Sequence, residues 1–115
     1  MNAQVNLHSL PTPIPEVAGR CKQSLMEHYG DRLQKVIVFG SVARNEAHSE
    51  SDLDLLVILN PPFDYFQELR TIVELLYPIQ LESEIFISAR PAAIDDFEQG
   101  KLQLYRNILR EGIRL

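Results

Sequence analysis

Two short apolar runs constrain the fold of this chain more than any other feature of its sequence. The first is Val36–Phe39, and the second runs from Asp54 to Leu59 and ends at Asn60-Pro61-Pro62. Apolar runs of this length that are rich in β-branched residues are typical of buried strands. A buried sheet must be covered by helices on at least one face, so the chain is expected to combine strands with helices.

The pattern on either side of these strands predicts two long helices. The first begins in the Pro13–Glu16 segment, where proline and an early acid favour a helix start, and ends at Gly30. The second ends before Pro78, because proline disfavours a helix interior. The expected buried residues of the first helix are Val17, Cys21, Leu25 and Tyr29, and those of the second are Phe63, Phe66, Leu69, Val73 and Leu76.

The rest of the chain supplies a third strand and further helices. Alternation over Leu81–Ser88 predicts the strand, and Pro91 then starts a turn. One or two helices follow over Ala92–Glu111, interrupted near Gly100. Their expected inward stripe consists of Leu102, Tyr105 and Leu109. We therefore predict an α/β or α+β domain with a small mixed sheet of three or more strands flanked by helices.

Composition restricts the class of protein. The 115 residues suffice for one domain, predicted over residues 13–115 after a flexible arm at residues 1–12, and 45% of them are apolar. A single cysteine, Cys21, excludes a disulfide framework and a cysteine-based zinc site and suits the cytoplasm. No membrane span or signal peptide is evident. The net charge of −5, with scattered basic residues, argues against a long nucleic-acid partner.

The step from the first strand into Gly40-Ser41 has the outline of a phosphate site. Glycine lets the backbone approach a phosphate closely and adopt a positive φ. A short helix is predicted over Ser41–Ala47, and the free N–H groups at its start, together with the Ser41 hydroxyl, would favour an anion. Such a step alone is a weak signal, because most are only turns.

Two acidic residues stand two positions apart at the start of the second strand. Residues i and i+2 of a strand point to the same side, so Asp52 and Asp54 converge while Leu53 and Leu55 point away. Two ionised carboxylates this close repel each other, and oxygen ligands suit Mg²⁺. The alternative is that Asp52 caps a turn and Asp54 is a strand-edge acid.

The combination resembles the DNA polymerase β-like nucleotidyltransferase superfamily, and most closely its minimal nucleotidyltransferases. Their Gly-Ser-x-Ala-Arg-Gly and Ser-Asp-x-Asp-Leu signatures correspond here to the segments 40–45 and 51–55. Asn45 replaces the usual glycine, although asparagine also tolerates a left-handed turn. The resemblance extends over roughly residues 15–111 and implies a polymerase β palm-like fold.

The resemblance also implies a ligand set. Asp52, Asp54 and a third carboxylate would hold two Mg²⁺ ions, with ATP as the substrate. Glu84 is the candidate for the third carboxylate and Glu82 is the second choice, although the family usually has an aspartate there. The alternative is that both residues belong to a solvated strand face. Gly40, Ser41 and Arg44 would contact the triphosphate; alternatively, Arg44 caps the loop over residues 46–50.

Three functions are compatible with this resemblance. The first is transfer of AMP from ATP to a hydroxyl of a partner protein, expected to be a helical HEPN-type toxin that this chain would neutralise as an antitoxin. The second is neutralisation by contact alone, which the change to Glu84 favours. The third is transfer to a small molecule. A docking patch for a partner is expected on the Phe63–Tyr77 helix or on the Ile108–Leu115 segment.

Overall fold

The protein, seen in a computed structural model that describes residues 7–44 and 52–115, is a four-stranded mixed sheet flanked by helices. The fold class predicted from the sequence is confirmed. The helices are α1 (Ile14–Tyr29), α2 (Tyr65–Glu82), α3 (Ile94–Glu98) and α4 (Gln103–Glu111), and the strands are β1 (Leu33–Phe39), β2 (Leu53–Leu59), β3 (Ile87–Ala93) and β4 (Ile113–Arg114).

The sheet has the strand order β3-β2-β1-β4, which places β2 beside both β1 and β3. β2 runs antiparallel to β1 and parallel to β3, and β4 is antiparallel to β1. The parallel crossover from β2 to β3 is made by α2. β3 is therefore an edge strand whose outer side has no neighbouring strand in the sheet.

The two faces of the sheet bury different sets of side chains, and this division decides where the site lies. One face packs against α1 and α2 in the larger core, to which β2 contributes Leu53, Leu55, Val57 and Leu59. The opposite face, which includes Leu56 and Ile58 of β2, packs against α3 and α4 through Phe97, Tyr105 and Ile108. Since side chains alternate along a strand, Asp52 and Asp54 share the α3/α4 side of the sheet with Leu56.

The first helix agrees closely with the prediction. α1 begins one residue after Pro13, and the four residues of its predicted stripe are buried, joined by Ile14 and Ala18. Before it, Leu7–Ser9 form a 3₁₀ turn and Leu10 is buried in the larger core. The flexible arm predicted for residues 1–12 stays a prediction, since residues 1–6 lie outside the described part.

The predicted end of the second helix is wrong, and so are two residues of its predicted buried face, Phe66 and Val73. α2 continues through Pro78 to Glu82. Pro78 removes one backbone hydrogen bond, but Leu76 and Ile79 on either side are buried, and this packing holds the last turns together. The buried residues are Ile72, Leu76 and Ile79, whereas Phe66 and Val73 are 73% and 55% exposed.

The predicted position of the third strand is also wrong, because α2 is longer than predicted. Because α2 runs to Glu82, β3 begins only at Ile87, and Pro91, predicted to start a turn, lies within it. Proline is tolerated in an edge strand where its missing N–H faces away from the sheet. The Gln80 side chain holds the start of this edge: its amide donates to the Ile85 carbonyl at 2.9 Å and accepts the Ile87 N–H at 2.7 Å.

The C-terminal part follows the predicted interruption at Gly100, which has φ +63° between α3 and α4. The predicted inward stripe is wrong at Leu102 and Leu109, which are exposed; Tyr105 and Ile108 are the buried residues. The short strand β4, not predicted, pairs with Ile37 and Val38 of β1. In the described part of the chain, no helix is long and apolar enough to cross a membrane.

Candidate nucleotide site

The two aspartates stand where three strands meet. Asp52 immediately precedes β2 and is exposed, whereas Asp54 lies within the strand and is half-buried. Asp54 pairs with Phe39 of β1 on one side and with Ser88 of β3 on the other. The structure thus brings the two predicted carboxylates together at the start of the central strand, on the α3/α4 side of the sheet.

Gly40 forms the wall of this site next to β1. Its φ is +78°, a conformation that side-chain-bearing residues rarely adopt. A Cβ atom built on Gly40 would overlap Oδ2 of Asp54 and lie 3.4 Å from its Cγ. The glycine required by the sequence motif is therefore needed for two reasons, the backbone conformation and the space that the Asp54 carboxylate occupies.

The segment after Gly40 carries the other predicted contacts of a triphosphate. Residues 41–44 form turns rather than a regular helix, and the Arg44 N–H donates to the Gly40 carbonyl at 3.1 Å. Ser41 is half-buried and Arg44 is exposed. The remainder of the predicted Ser41–Ala47 helix, including Asn45, lies outside the described residues, as does Ser51.

Burial and neighbouring charges both affect the pKa of Asp54. Desolvation is the larger cause that raises the pKa of Asp54, and the neighbouring Asp52 carboxylate raises it further. The positive charges of Arg90 and Arg44 oppose this shift in the pKa. Sequence reasoning missed Arg90, because it placed the third strand six residues too early; the parallel register puts Arg90 beside Leu56, on the same side as Asp54.

The predicted third carboxylate does not join the pair in this structure. Glu84 is exposed in the connection between α2 and β3, and Glu82 ends α2 with an ion pair of 2.7 Å to Arg20 on α1. Over residues 7–44 and 52–115, no group of three or more His, Cys, Asp or Glu side chains is arranged to hold a metal ion. Ser88 is the β3 residue that pairs with Asp54, and β3 (Ile87–Ala93) contains no acidic residue, so neither aspartate has an acidic neighbour on that strand.

A divalent cation nevertheless fits the two aspartates. Partial burial of Asp54 and the nearby Asp52 charge raise the pKa of Asp54, and a cation bound between the two carboxylates would offset both effects. Hard carboxylate oxygens are ligands that Mg²⁺ prefers, and Mg²⁺ commonly completes its coordination with waters and substrate phosphates. Asp52 and Asp54 are the residues that would hold it.

The fold and this arrangement of aspartates beside a glycine turn place the chain among enzymes that transfer nucleotides. The chain belongs to the nucleotidyltransferase domain family, whose model matches residues 19–113. It is 31% identical over 90 residues to "Putative protein adenylyltransferase MJ0604" of Methanocaldococcus jannaschii, covering 77% of this chain and 84% of that protein. A second protein of the same organism, "Putative protein adenylyltransferase MJ0141", is 31% identical over 75 residues, which are 65% of this chain and 75% of the relative.

Solved structures agree on the fold at low sequence identity. A crystal structure of the toxin–antitoxin MntA–HpeT matches with a TM-score of 0.57 and 16% identity, covering 85% of this chain and 70% of the other. A crystal structure of a toxin–antitoxin with AMP-PNP matches with a TM-score of 0.51 and 16% identity, covering 84% and 69% of the two chains. The family model and the two relatives confirm the resemblance to nucleotidyltransferases inferred from the sequence motifs.

Proposed function

We propose that this nucleotidyltransferase moves AMP from ATP to a hydroxyl group of a partner protein and acts as the antitoxin of a toxin–antitoxin pair. The observation that carries the proposal is the Asp52–Asp54 pair facing the Gly40 turn. Two relatives named as protein adenylyltransferases support the reaction, and two structural neighbours described as toxin–antitoxin structures support the setting.

The proposed reaction exchanges one bond at the α-phosphorus of ATP for another. The acceptor hydroxyl oxygen bonds to the α-phosphorus, while the bond from that phosphorus to the oxygen bridging to the β-phosphate breaks. Pyrophosphate leaves with the electron pair, and the hydroxyl proton passes to a base. Mg²⁺ bound by Asp52 and Asp54 would supply charge neutralisation at the transferred and leaving phosphates.

The protein's own contribution is positioning. The Gly40 turn gives the β- and γ-phosphates a wall without side-chain atoms, and Ser41 and Arg44 follow directly as hydrogen-bond donors. Asp54 is fixed from both sides, since it lies within the sheet between β1 and β3. Rigid placement of this kind provides much of the catalysis in phosphoryl transfer.

The partner would dock on the exposed apolar face of α2. Phe66, Val73, Tyr77 and Leu81 lie on one side of this helix, and all four are exposed. Val73 and Tyr77 also line an apolar groove of 450 Å³ between α2 and β3, together with Phe86. The Phe86 carbonyl accepts the Leu53 N–H at 2.9 Å, so this groove ends beside the start of β2, and a helical protein seated in it would lie next to the edge of the candidate site.

The C-terminal segment, the other docking surface expected from the sequence, is largely used within the fold. Ile108 is buried, and Ile113 and Leu115 pack against the larger core. The Leu115 N–H also donates to the Val36 carbonyl at 2.9 Å, which extends the pairing of β4 with β1. We therefore place the partner on α2, and we propose that the partner is a helical toxin of the HEPN type.

A second candidate function is neutralisation of the toxin by contact alone. The observation that favours it is the absence of an acidic residue from β3, where Ser88 pairs with Asp54. Such a protein would use the same face of α2 without transferring a nucleotide. The two functions therefore differ only in their dependence on the aspartates.

The deciding experiment combines this chain with ATP, Mg²⁺ and the protein encoded by the neighbouring gene. Intact mass spectrometry of both chains would show whether the partner gains AMP, and a parallel assay would follow loss of toxin activity. Transfer that requires Asp52 and Asp54 supports the enzyme. Neutralisation at equal stoichiometry by the Asp52→Asn protein, without any change in mass, would establish the contact-only function instead.

A further inference from the structure

Arg90 occupies the side of the candidate site opposite to the Gly40 turn. It lies on β3 two residues after Ser88, the residue that pairs with Asp54, and its own neighbour on β2 is Leu56. Side chains two residues apart on a strand share a face, so Arg90 and Asp54 are on the same side of the sheet. With normal strand spacing and rise, their Cα atoms are about 8 Å apart, which an arginine side chain can span.

Arg90 is an exposed residue of the edge strand β3. Within residues 7–44 and 52–115, the structure records no hydrogen bond or ion pair for Arg90, and the residue is exposed. The arginines of α4 differ: Arg106 donates to the Gly100 carbonyl at 2.8 Å, and Arg110 donates to the Asn107 side chain at 2.8 Å. Arg90 therefore places an exposed positive charge on the side of the sheet that carries Asp54.

The position of Arg90 relative to the phosphates follows from the order of the strands. In the proposed function the β- and γ-phosphates lie at the turn after β1, where Gly40 and Arg44 stand. The α-phosphate, which reacts, then lies over the aspartates at the start of β2. The next strand in the same direction is β3, and Arg90 is the cation on that strand.

We propose that Arg90 binds the α-phosphate of the nucleotide from the β3 side of the site. This inference rests on the proposed function, because it uses the placement of the triphosphate at Gly40. Two arginines would then bind two parts of one nucleotide. Arg44 would bind the pyrophosphate that leaves, and Arg90 would bind the α-phosphate of the AMP that is transferred. The Arg90 guanidinium presents a fork of N–H donors, which matches the oxygens of a phosphate better than an amine does. The electrostatic influence of Arg90 on both Asp54 and Tyr105 is consistent with this position.

The test uses AMP and pyrophosphate, the two parts of the nucleotide, as separate ligands. Binding of AMP and of pyrophosphate would be measured separately by calorimetry or NMR titration in the presence of Mg²⁺. We expect Arg90→Gln to weaken AMP binding by about tenfold, the loss expected for one charge-assisted hydrogen bond, and to change pyrophosphate binding less than about twofold. Arg44→Gln should show the opposite preference. Arg110→Gln, on the exposed side of α4, is the matched control and should change neither affinity.

Each outcome decides between the two proposals. Equal losses for both ligands in Arg90→Gln, or no loss for AMP, would overturn the role of Arg90, even if the wild-type protein transfers AMP. A selective loss of AMP binding in a protein that modifies no partner would support the role of Arg90 and refute the transfer. If the wild-type protein binds neither ligand, both proposals are wrong. Arg90→Lys should recover part of the AMP affinity, because it keeps the charge and loses the fork.

Discussion

Gly40 and Asp54 are in such close contact that a Cβ atom on the first would overlap a carboxylate oxygen of the second. The contact arises because Phe39, the residue before Gly40, pairs with Asp54 across β1 and β2. Gly40 of the Gly-Ser motif and Asp54 of the Asp-x-Asp motif are thus in direct contact in the fold. This relationship predicts that substitutions at the two positions are not independent.

A double-mutant cycle between these residues should reveal that dependence. Gly40→Ala should cost about 1–2 kcal/mol for the positive φ and more for the overlap with the carboxylate. In the Asp54→Ala background only the cost of the backbone conformation should remain, because the nearest side-chain atom would then be Cβ, 3.7 Å away. Urea denaturation of the four proteins measures the coupling. Additive effects, within experimental error, would show that the overlap is relieved elsewhere.

Asp52→Asn and Asp54→Asn should abolish AMP transfer while the protein remains folded. Each variant removes one proposed ligand of the cation. Because a bound cation stabilises the charge of the transition state by several kcal/mol, we expect the transfer rate to fall on the order of 10³-fold. Rates would be compared with those of Asp31→Asn, an exposed acid in the 3₁₀ turn before β1. Full activity of Asp54→Asn would refute the role of the pair in catalysis.

The same substitutions should raise stability in the absence of divalent ions. Burial and Asp52 raise the pKa of Asp54 in the folded state, so folding favours its protonated form. The stabilisation from this group is complete below the pKa of the unfolded state and is lost as pH rises through the folded pKa. Asp54→Asn should therefore melt at a higher temperature than wild type at neutral pH, and the difference should shrink in acid. A lower melting temperature at neutral pH would contradict the assigned cause of the shift.

Glu84→Gln should change the transfer rate little, because Glu84 is exposed and lies outside any described group that could hold a metal. Glu82→Gln is the companion variant, and its main effect should be loss of the exposed ion pair with Arg20, which is worth at most about 1 kcal/mol. A hundredfold loss of rate in Glu84→Gln, with Glu84→Asp active, would instead establish Glu84 as the third carboxylate that the family resemblance implies.

The exposed face of α2 should determine affinity for the partner. The double variant Val73→Ser/Tyr77→Ser removes apolar surface from the groove, so we expect binding to weaken by at least about tenfold. Leu102→Ser changes an equally exposed apolar residue next to α4 and should leave binding unchanged. Surface plasmon resonance with the partner provides the measurement. Equal affinity of all three proteins would place the partner on another surface.

Local sequence was enough to predict the part of the site that lies between β1 and β2. Gly40, Asp52 and Asp54 are fixed by the ends of two apolar strands. Both strands are recognisable because β2 is buried except at Asp54 and β1 is buried over Val36–Val38. The alternation rule then places the two carboxylates on one side of β2 without any knowledge of the remaining fold.

The part of the site that β3 contributes could not be predicted, because it depends on contacts between residues that are far apart in the sequence. Packing of Leu76 and Ile79 lets α2 pass through Pro78, and this shifts the start of β3 to Ile87. Pro91 signals a turn in isolation and is acceptable in a strand only because that strand lies at the edge of the sheet. Arg90 can therefore be identified as a candidate site residue only from the register of β3 with β2.

Gln80 also decides how far the sheet can extend. Its side-chain amide accepts from one backbone group of the β3 edge and donates to another, as the main chain of an additional strand would. Pro91, further along the same strand, has no N–H to donate. Only a short stretch around Ala89 could therefore pair with an additional strand. In a molecule without a partner, the apolar face of α2 is exposed beside this edge. Gln80 and Pro91 would keep molecules that meet through that face from joining their sheets into a fibril.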